Sequence, residues 1–137
     1  MQELDRVRYL IETRDRLIGL FGMVVEEVAP GSSRVSMSVH EGLLNTAALC
    51  HGGAIFSLAD VAFALACNSH GTKALALESS INFIRPVSAG ETITAAASEI
   101  SCGKTTGLYT VLVTNNDGRP VAYMKATAYR FPERLPD

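Results

Sequence analysis

Little in this 137-residue chain points towards nucleic acid, a membrane or an oxidising compartment. Charged residues make up 19% of it and sum to −2, so it has neither a basic footprint for nucleic acid nor an acidic tail. The first residues, MQELDRVRYL, alternate charged with apolar side chains and lack the apolar core of a secretory signal. The three cysteines, Cys50, Cys67 and Cys102, are odd in number and show no CxxC spacing. They fit reduced thiols in a cytoplasm rather than a disulfide frame or a zinc site. His40, His51 and His70 have no zinc-ligand spacing either, so no metal is expected. Long hydrophobic runs are also missing. As a helix, the apolar run Ala54–Cys67 would rise only ~21 Å, short of the ~20 residues that a membrane span needs. No repeat, low-complexity linker or composition shift divides the chain, and a single domain over 1–137 is expected.

What the chain does have is apolar surface. The hydrophobic fraction is 47% and the mean hydropathy +0.19, rich for a chain of this size and a reason to expect an oligomer. The densest part is Ala54–Cys67, with a single charge, Asp60, and polar help only from Ser57. A helix apolar on every side must be enclosed. This one reads as a core helix, and Asp60 sits on it where a carboxylate is expensive. Catalysis is one candidate for what offsets that cost.

Residues 2 to about 18 carry Leu4, Val7, Leu10, Ile11, Leu17 and Ile18 at helical spacing, an amphipathic helix within the first twenty residues, with Gly19 and Gly22 bracketing its end. Phe21–Ala29 reads as a strand, Pro30-Gly31-Ser32 as a turn, and Arg34–His40 as a strand with Val35, Met37 and Val39 inward. Beyond the central helix, which stops near His70-Gly71, the period changes to two. Ala74–Arg85 places Leu75, Leu77, Ser79, Ile81 and Phe83 on one face. Glu91–Cys102, Leu108–Thr114 and Val121–Phe131 follow, with Gly103-Lys104-Thr105 and Asn116-Asp117-Gly118 as hairpin turns. The outline is helix, two strands, long buried helix, four strands. That order predicts an α+β fold in which a curled antiparallel sheet wraps one apolar helix. Ala74–Arg85, with its long apolar face, is expected at an edge where it pairs with a second copy.

His51-Gly52-Gly53 opens the central helix. Its first N–H groups lack intrahelical partners and stand at the positive end of the dipole, and glycine lets a substrate oxygen approach them. The stretch reads either as half of an oxyanion hole or as a tight turn feeding a helix. Gly53 and Asp60, seven residues apart, share a face within ~20° but lie ~10.5 Å apart along the axis. One carbonyl cannot touch both on one helix. Two antiparallel helices across a two-fold axis would place Gly53 of one subunit opposite Asp60 of the other, giving two shared sites per dimer.

The stretch LLNTAALCHGGAIFSLADVAFALACNS, ending at Ser69, resembles the signature of the hotdog-fold acyl-CoA thioesterases. Within these it is most similar to the phenylacetate-degradation (PaaI-type) thioesterases. The resemblance runs from Phe21 to Arg130 and rests on N-x5-HGG-x3-SLAD-x-AFA-x-ACNS, with NFIRPVSAGETITA and GKTTGLY resembling the later strands. It implies that Asp60 is the general base or the nucleophile, reaching across from the partner subunit, and that the Gly53 N–H polarises the thioester carbonyl. Asn45 and His51 would position the substrate. Arg85 and the loop of Gly103, Lys104, Thr105 and Thr106 would lie near the CoA phosphates. It also points to a homotetramer built as a dimer of dimers, and among substrates to phenylacetyl-CoA and its ring-hydroxylated relatives.

The resulting expectation is a cytoplasmic acyl-CoA thioesterase with no metal or redox cofactor. Its alternatives are a non-catalytic acyl-CoA-binding hotdog domain and a medium-chain acyl-CoA thioesterase. A ligand sensor would need no carboxylate at the reacting carbon, so Asp60 favours the enzyme. A hotdog hydratase would pair a histidine with a carboxylate around a β-hydroxyacyl group, and no such second motif is present. Cys50 beside His51 suggests a thiol nucleophile only weakly, because adjacent residues rarely face each other. Arg14 and Arg16 read as a solvated helix face.

Overall fold

The computed structural model describes residues 2–136; Met1 and Asp137, the outermost residues of the expected 1–137 domain, lie outside the described residues. The N-terminal segment forms two helices, α1 (Glu3–Arg14) and α2 (Arg16–Phe21), where one helix to about residue 18 is expected. Asp15 makes the break. Its backbone is extended, its N–H closes α1 on the Ile11 carbonyl at 2.8 Å, and its carboxylate accepts the Leu17 N–H at 3.2 Å as the cap of α2. Gly19 therefore lies inside α2, and the left-handed Gly22 (φ 72°) ends it. The expected amphipathic face is present, with Val7 and Ile18 buried and Ile11 and Leu17 packed against the core.

Strands β1 (Met23–Ala29) and β2 (Ser32–Ser38) pair antiparallel, and β2 turns Val35 and Met37 into the core as the alternation predicts. The strand after Phe21 starts two residues later than expected because Phe21 closes α2. A loop containing a short 3₁₀ turn (Glu41–Leu43) leads into α3 (Gly52–Asn68), one long helix running slightly beyond the Ala54–Cys67 core. Then come β3 (Thr72–Phe83), β4 (Thr92–Cys102), β5 (Thr106–Thr114) and β6 (Pro120–Arg134). β6 outlasts its expected end at Phe131 by three residues because its last turn still pairs with Thr72 of β3. The sheet order is β1-β2-β4-β5-β6-β3, antiparallel at every pairing, and the sheet curls round α3.

Packing explains why α3 stays where it is. Leu58, Ala59, Ala62, Leu65 and Ala66 are fully buried; small alanines let the sheet approach, and the Ser33 hydroxyl donates to the Ala62 carbonyl at 2.6 Å. At its far end the Asn68 side chain accepts the Ala74 N–H and donates to the Ala64 and Ala74 carbonyls, binding α3 to β3. At its near end a Cβ on Gly52 would stand 3.2 Å from the Phe83 ring, so glycine lets β3 lie close there. One expectation is corrected. This chain alone does not enclose α3 on every side, because Gly53, Ser57, Asp60 and Ala64 leave a partly open stripe at helical spacing. The expected edge position of β3 is observed, with Leu75, Leu77 and Phe83 all more than half exposed, but a register shift between Ala76 and Glu78 breaks the single apolar face expected there, and Ile81 packs against the core. Among the described residues no helix is long and apolar enough to cross a membrane.

Candidate active site

The open stripe of α3 carries the candidate residues. At its start His51 is the N-cap, and its Nδ1 accepts the Gly53 N–H at 3.0 Å. Accepting at Nδ1 puts the ring proton on Nε2 in the neutral imidazole. The Gly53 N–H, expected to meet a substrate carbonyl, is thus held by its own neighbour, and an entering oxygen would have to replace the imidazole. Around this helix start lies a cavity of about 370 Å³ bordered by Phe21, Leu43, Leu44, His51 and Gly53. Asn45 is exposed, and its Oδ1 accepts the Ala47 and Leu49 N–H groups at 2.9 and 3.1 Å. It organises the loop that ends in His51, whose own N–H donates to the Leu43 carbonyl at 2.7 Å.

Two turns further along, Asp60 is half-buried and borders a larger cavity of about 950 Å³. Its walls come from α1 (Leu10, Ile11), α3 (Phe63, Ala64) and β3 (Leu75), with Arg14, Asp15, Lys73, Glu133 and Arg134 as the charged groups around it. The roof is tied down by the Glu3–Arg134 ion pair and by Arg6 donating to the Pro136 carbonyl at 2.6 Å. Burial raises the Asp60 carboxyl above its ordinary range, and the Asp15 charge raises it further. Such a carboxylate is a stronger base than a solvated one. Ser57 lies between Gly53 and Asp60 on the stripe, its hydroxyl donating to the Gly53 carbonyl at 2.8 Å.

The two buried cysteines are poor nucleophiles here. Cys50 and Cys67 are buried, and burial pushes Cys67 up to about 12 with Asp60 adding to the effect. Cys50 is raised by burial as well, which fits packing.

The expected CoA-phosphate residues do not gather within one chain. Arg85 follows β3 and donates to the Pro120 carbonyl at 2.8 Å, near the Phe83–Ala122 pair. The Gly103–Thr106 turn lies beyond the other end of the sheet, where Ala74 pairs with Arg130. The nine residue steps from Ala74 to Phe83 separate the two by roughly 30 Å. Sequence reasoning also passed over the cation that stands beside the turn. Arg130 donates to the Gly103 carbonyl at 2.6 Å while its backbone N–H donates to the Thr105 carbonyl, and its buried Nε has no partner among the described residues. No local pattern could mark it, because the Thr106–Tyr129 pairing that brings it there is long-range. Asp15 was also missed, although an aspartate directly before RLIGLF is a recognisable cap signal.

Comparison with known proteins adds the following. Residues 48–122, from the loop before α3 into β6, match the model of the Thioesterase superfamily. An Archaeoglobus fulgidus protein provisionally named an esterase is 42% identical over 98% of this chain and 88% of its own length. The acyl-coenzyme A thioesterase PaaI of Escherichia coli is 41% identical over 80% of this chain and 78% of its own. The solved structure of the E. coli PaaI protein, from the phenylacetic acid degradation operon, superposes with a TM-score of 0.95 at 34% identity, covering 98% of this chain and 97% of that one.

Proposed function

Since this chain belongs to the thioesterase superfamily and is by that membership a thioester hydrolase, we propose that it cleaves acyl-CoA thioesters to free acid and CoA with Asp60 as the catalytic carboxylate. The observation that carries this reading is the placement of Asp60. It is the one charged side chain of α3, it lies on the helix's open stripe, and it faces an apolar-walled chamber large enough for an acyl group. An acyl-CoA-binding module without chemistry has no use for that carboxylate.

The reaction follows from groups already described. The thioester carbonyl enters at the start of α3, displaces the His51 ring from the Gly53 N–H and takes that donor, backed by the positive end of the helix. Asp60 removes a proton from water, and the hydroxide so formed attacks the carbonyl carbon. The tetrahedral intermediate collapses, the C–S bond breaks, and CoA leaves as a thiolate that then takes up a proton. Direct attack by the carboxylate, forming an anhydride that water opens, uses the same residues. Since Gly53 and Asp60 stand ~10.5 Å apart on one helix, each site takes Gly53 from one subunit and Asp60 from its two-fold mate. His51 and Asn45 set the geometry of the carbonyl end.

For the acyl group we favour phenylacetyl and its ring-hydroxylated relatives. Leu10, Ile11, Phe63 and Leu75 give the chamber walls that suit an aromatic ring, and the PaaI relative supports the same choice. Lys104 and the turn of Gly103, Thr105 and Thr106, joined by Arg130, are assigned to CoA phosphates; Arg85, at the far end of β3, serves the phosphates of the neighbouring site across the dimer. Two such dimers form a tetramer. Three free cysteines, two of them buried, suit the reducing cytoplasm.

The test is a hydrolysis screen over aryl, medium-chain and long-chain acyl-CoAs with the unmodified protein and with Asp60→Asn and Asp60→Ala. Turnover should be highest on arylacetyl-CoA and fall ~10²–10⁴-fold in both variants, the usual contribution of a general base. Retention of more than half of kcat in Asp60→Ala would remove Asp60 from the chemistry, and a maximum on medium chains would overturn the substrate choice.

A further inference from the structure

Away from the α3 stripe, the end of that helix meets the end of β4 in a group of polar side chains that the hydrolytic reaction does not use. The chain leaves α3 through Ser69, whose hydroxyl accepts the Gly31 N–H at 2.8 Å, and presents His70 to the sheet. On β4 the pairing with β5 shifts between Glu99 and Ser101. A bulge inserts one extra residue, so Glu99 and Cys102, three apart in sequence, share a face. Ile100, the residue pushed out, is well exposed.

The result is a convergence of three different donor atoms. His70 Nε2 lies 2.8 Å from Glu99 Oε1, and a ring nitrogen of His70, a carboxylate oxygen of Glu99 and Cys102 Sγ all fall within 4.8 Å of one another. His70 and Glu99 are partly buried, and Cys102 is exposed. The Tyr109 hydroxyl donates to the same oxygen, Glu99 Oε1, at 2.6 Å and helps to fix the carboxylate. Sequence spacing hides this set, because its members stand at positions 70, 99 and 102 and only the α3–β4 junction brings them together.

We propose that His70, Glu99 and Cys102 form a divalent-cation site of the zinc class, which ties the end of α3 to β4. The donor chemistry selects the ion. A nitrogen, a thiolate sulfur and one carboxylate oxygen suit Zn²⁺ or Co²⁺, whereas Mg²⁺ and Ca²⁺ want oxygen alone. Tetrahedral Zn²⁺ with bonds of about 2.0–2.3 Å needs its ligand atoms roughly 3.3–3.8 Å apart. His70 and Glu99 must part slightly and Cys102 must draw in, which its exposed position allows. Glu99 and the Cys102 thiolate together neutralise the ion, and water completes the four ligands. Burial pushes the Cys102 thiol up, so the ion itself must draw out the thiolate on binding, while the nearby Arg130 guanidinium stays fixed on the Gly103 carbonyl at 2.6 Å. The Tyr109 hydroxyl supplies the outer hydrogen bond that orients a ligating carboxylate. The site lies ten residues beyond Asp60, about 15 Å at helical rise, so its role is to anchor the helix that carries the chemistry.

The experiment uses the full chain, dialysed against EDTA and titrated with Co²⁺ and then Zn²⁺. The expected result is one Co²⁺ per chain, a thiolate-to-cobalt charge-transfer band, its loss on adding Zn²⁺, and a higher Tm with Zn²⁺. Cys102→Ser should abolish the band and, like His70→Gln, weaken binding by at least about tenfold, since even outer-shell changes cost 10–100-fold. Circular dichroism of both variants checks the fold. A charge-transfer band that persists in Cys102→Ser would place the metal on another cysteine and overturn the proposal. So would absence of the band, or a Tm indifferent to Zn²⁺, which would leave His70, Glu99 and Tyr109 as a hydrogen-bonded network only.

Discussion

At the scale of single residues, the proposed site brings together two carboxylates that are not equally legible in the sequence. Asp60 was legible because a single charge among the fourteen residues of Ala54–Cys67 must have a reason. Asp15 was hidden because its effect passes through space, across the cavity that both residues border. Asp15→Asn keeps a capping side chain on α2 but removes the like charge facing Asp60. With Arg14, Lys73, Glu133 and Arg134 unchanged around the cavity, the acid limb of the kcat/KM–pH profile should move to lower pH while the plateau stays put. An unmoved limb would mean that Asp15 does not act on Asp60. Asp60 also links stability to pH. Its folded pKa is raised, so the folded state binds that proton more tightly than the unfolded chain. Its favourable contribution is complete below the ordinary aspartate pKa and is lost as pH rises through the raised value. Asp60→Asn should therefore melt at a higher temperature than the unmodified protein near neutral pH. The gain should shrink to nothing in acid, and calorimetry across that range would detect a gain of the wrong sign.

At the scale of elements, the hydrophobic period placed every strand and the central helix, and the misses lie at element ends, where a capping side chain or a long-range strand partner decides. Asp15 splits the first helix by accepting the Leu17 N–H, and a 3.6-residue apolar period cannot register that. β6 runs on to Arg134 because Thr72 offers a partner across the sheet. The loop before α3 poses the same question for function. Asn45 read as a substrate-positioning residue, yet its Oδ1 accepts two N–H groups of its own loop. Asn45→Ala should lose roughly 1 kcal/mol per hydrogen bond and let His51 drift, raising KM and lowering kcat together. Asn45→Asp keeps the acceptor oxygen but not the amide donor. If Asn45 acts through the loop, the aspartate variant should recover most of the activity and Tm lost by the alanine. If it recovers Tm but not kcat/KM, the amide N–H₂ touches substrate, and the purely organising role is wrong.

At the scale of the whole molecule, the expectation of an oligomer rested on excess apolar composition, and the structure puts a run of that excess along one edge of the sheet. Leu75, Leu77 and Phe83 on the edge strand β3, and Ile84 just after it, stand more than half exposed. A long apolar edge invites pairing with another chain. Sequence could not reveal that Arg85 and the Gly103 turn stand at opposite ends of the sheet, because that depends on how β3 pairs with β6. Both facts favour a site completed across a two-fold axis, and complementation tests it. A side chain at Gly53 would crowd His51, since even a Cβ there stands 3.2 Å from Nδ1, so Gly53→Val disables the helix start. Asp60→Ala removes the proposed base, and each variant alone should be inactive. After co-refolding, half of the dimers are mixed. In a mixed dimer one site collects both defects, while the other joins an intact Gly53 to an intact Asp60. Half the dimers with one working site of two should restore about a quarter of the unmodified activity. Mass spectrometry of the refolded mixture establishes that heterodimers formed. Heterodimers that stay inactive would mean that each site is built within one chain, or that the Gly53 N–H takes no part in the reaction.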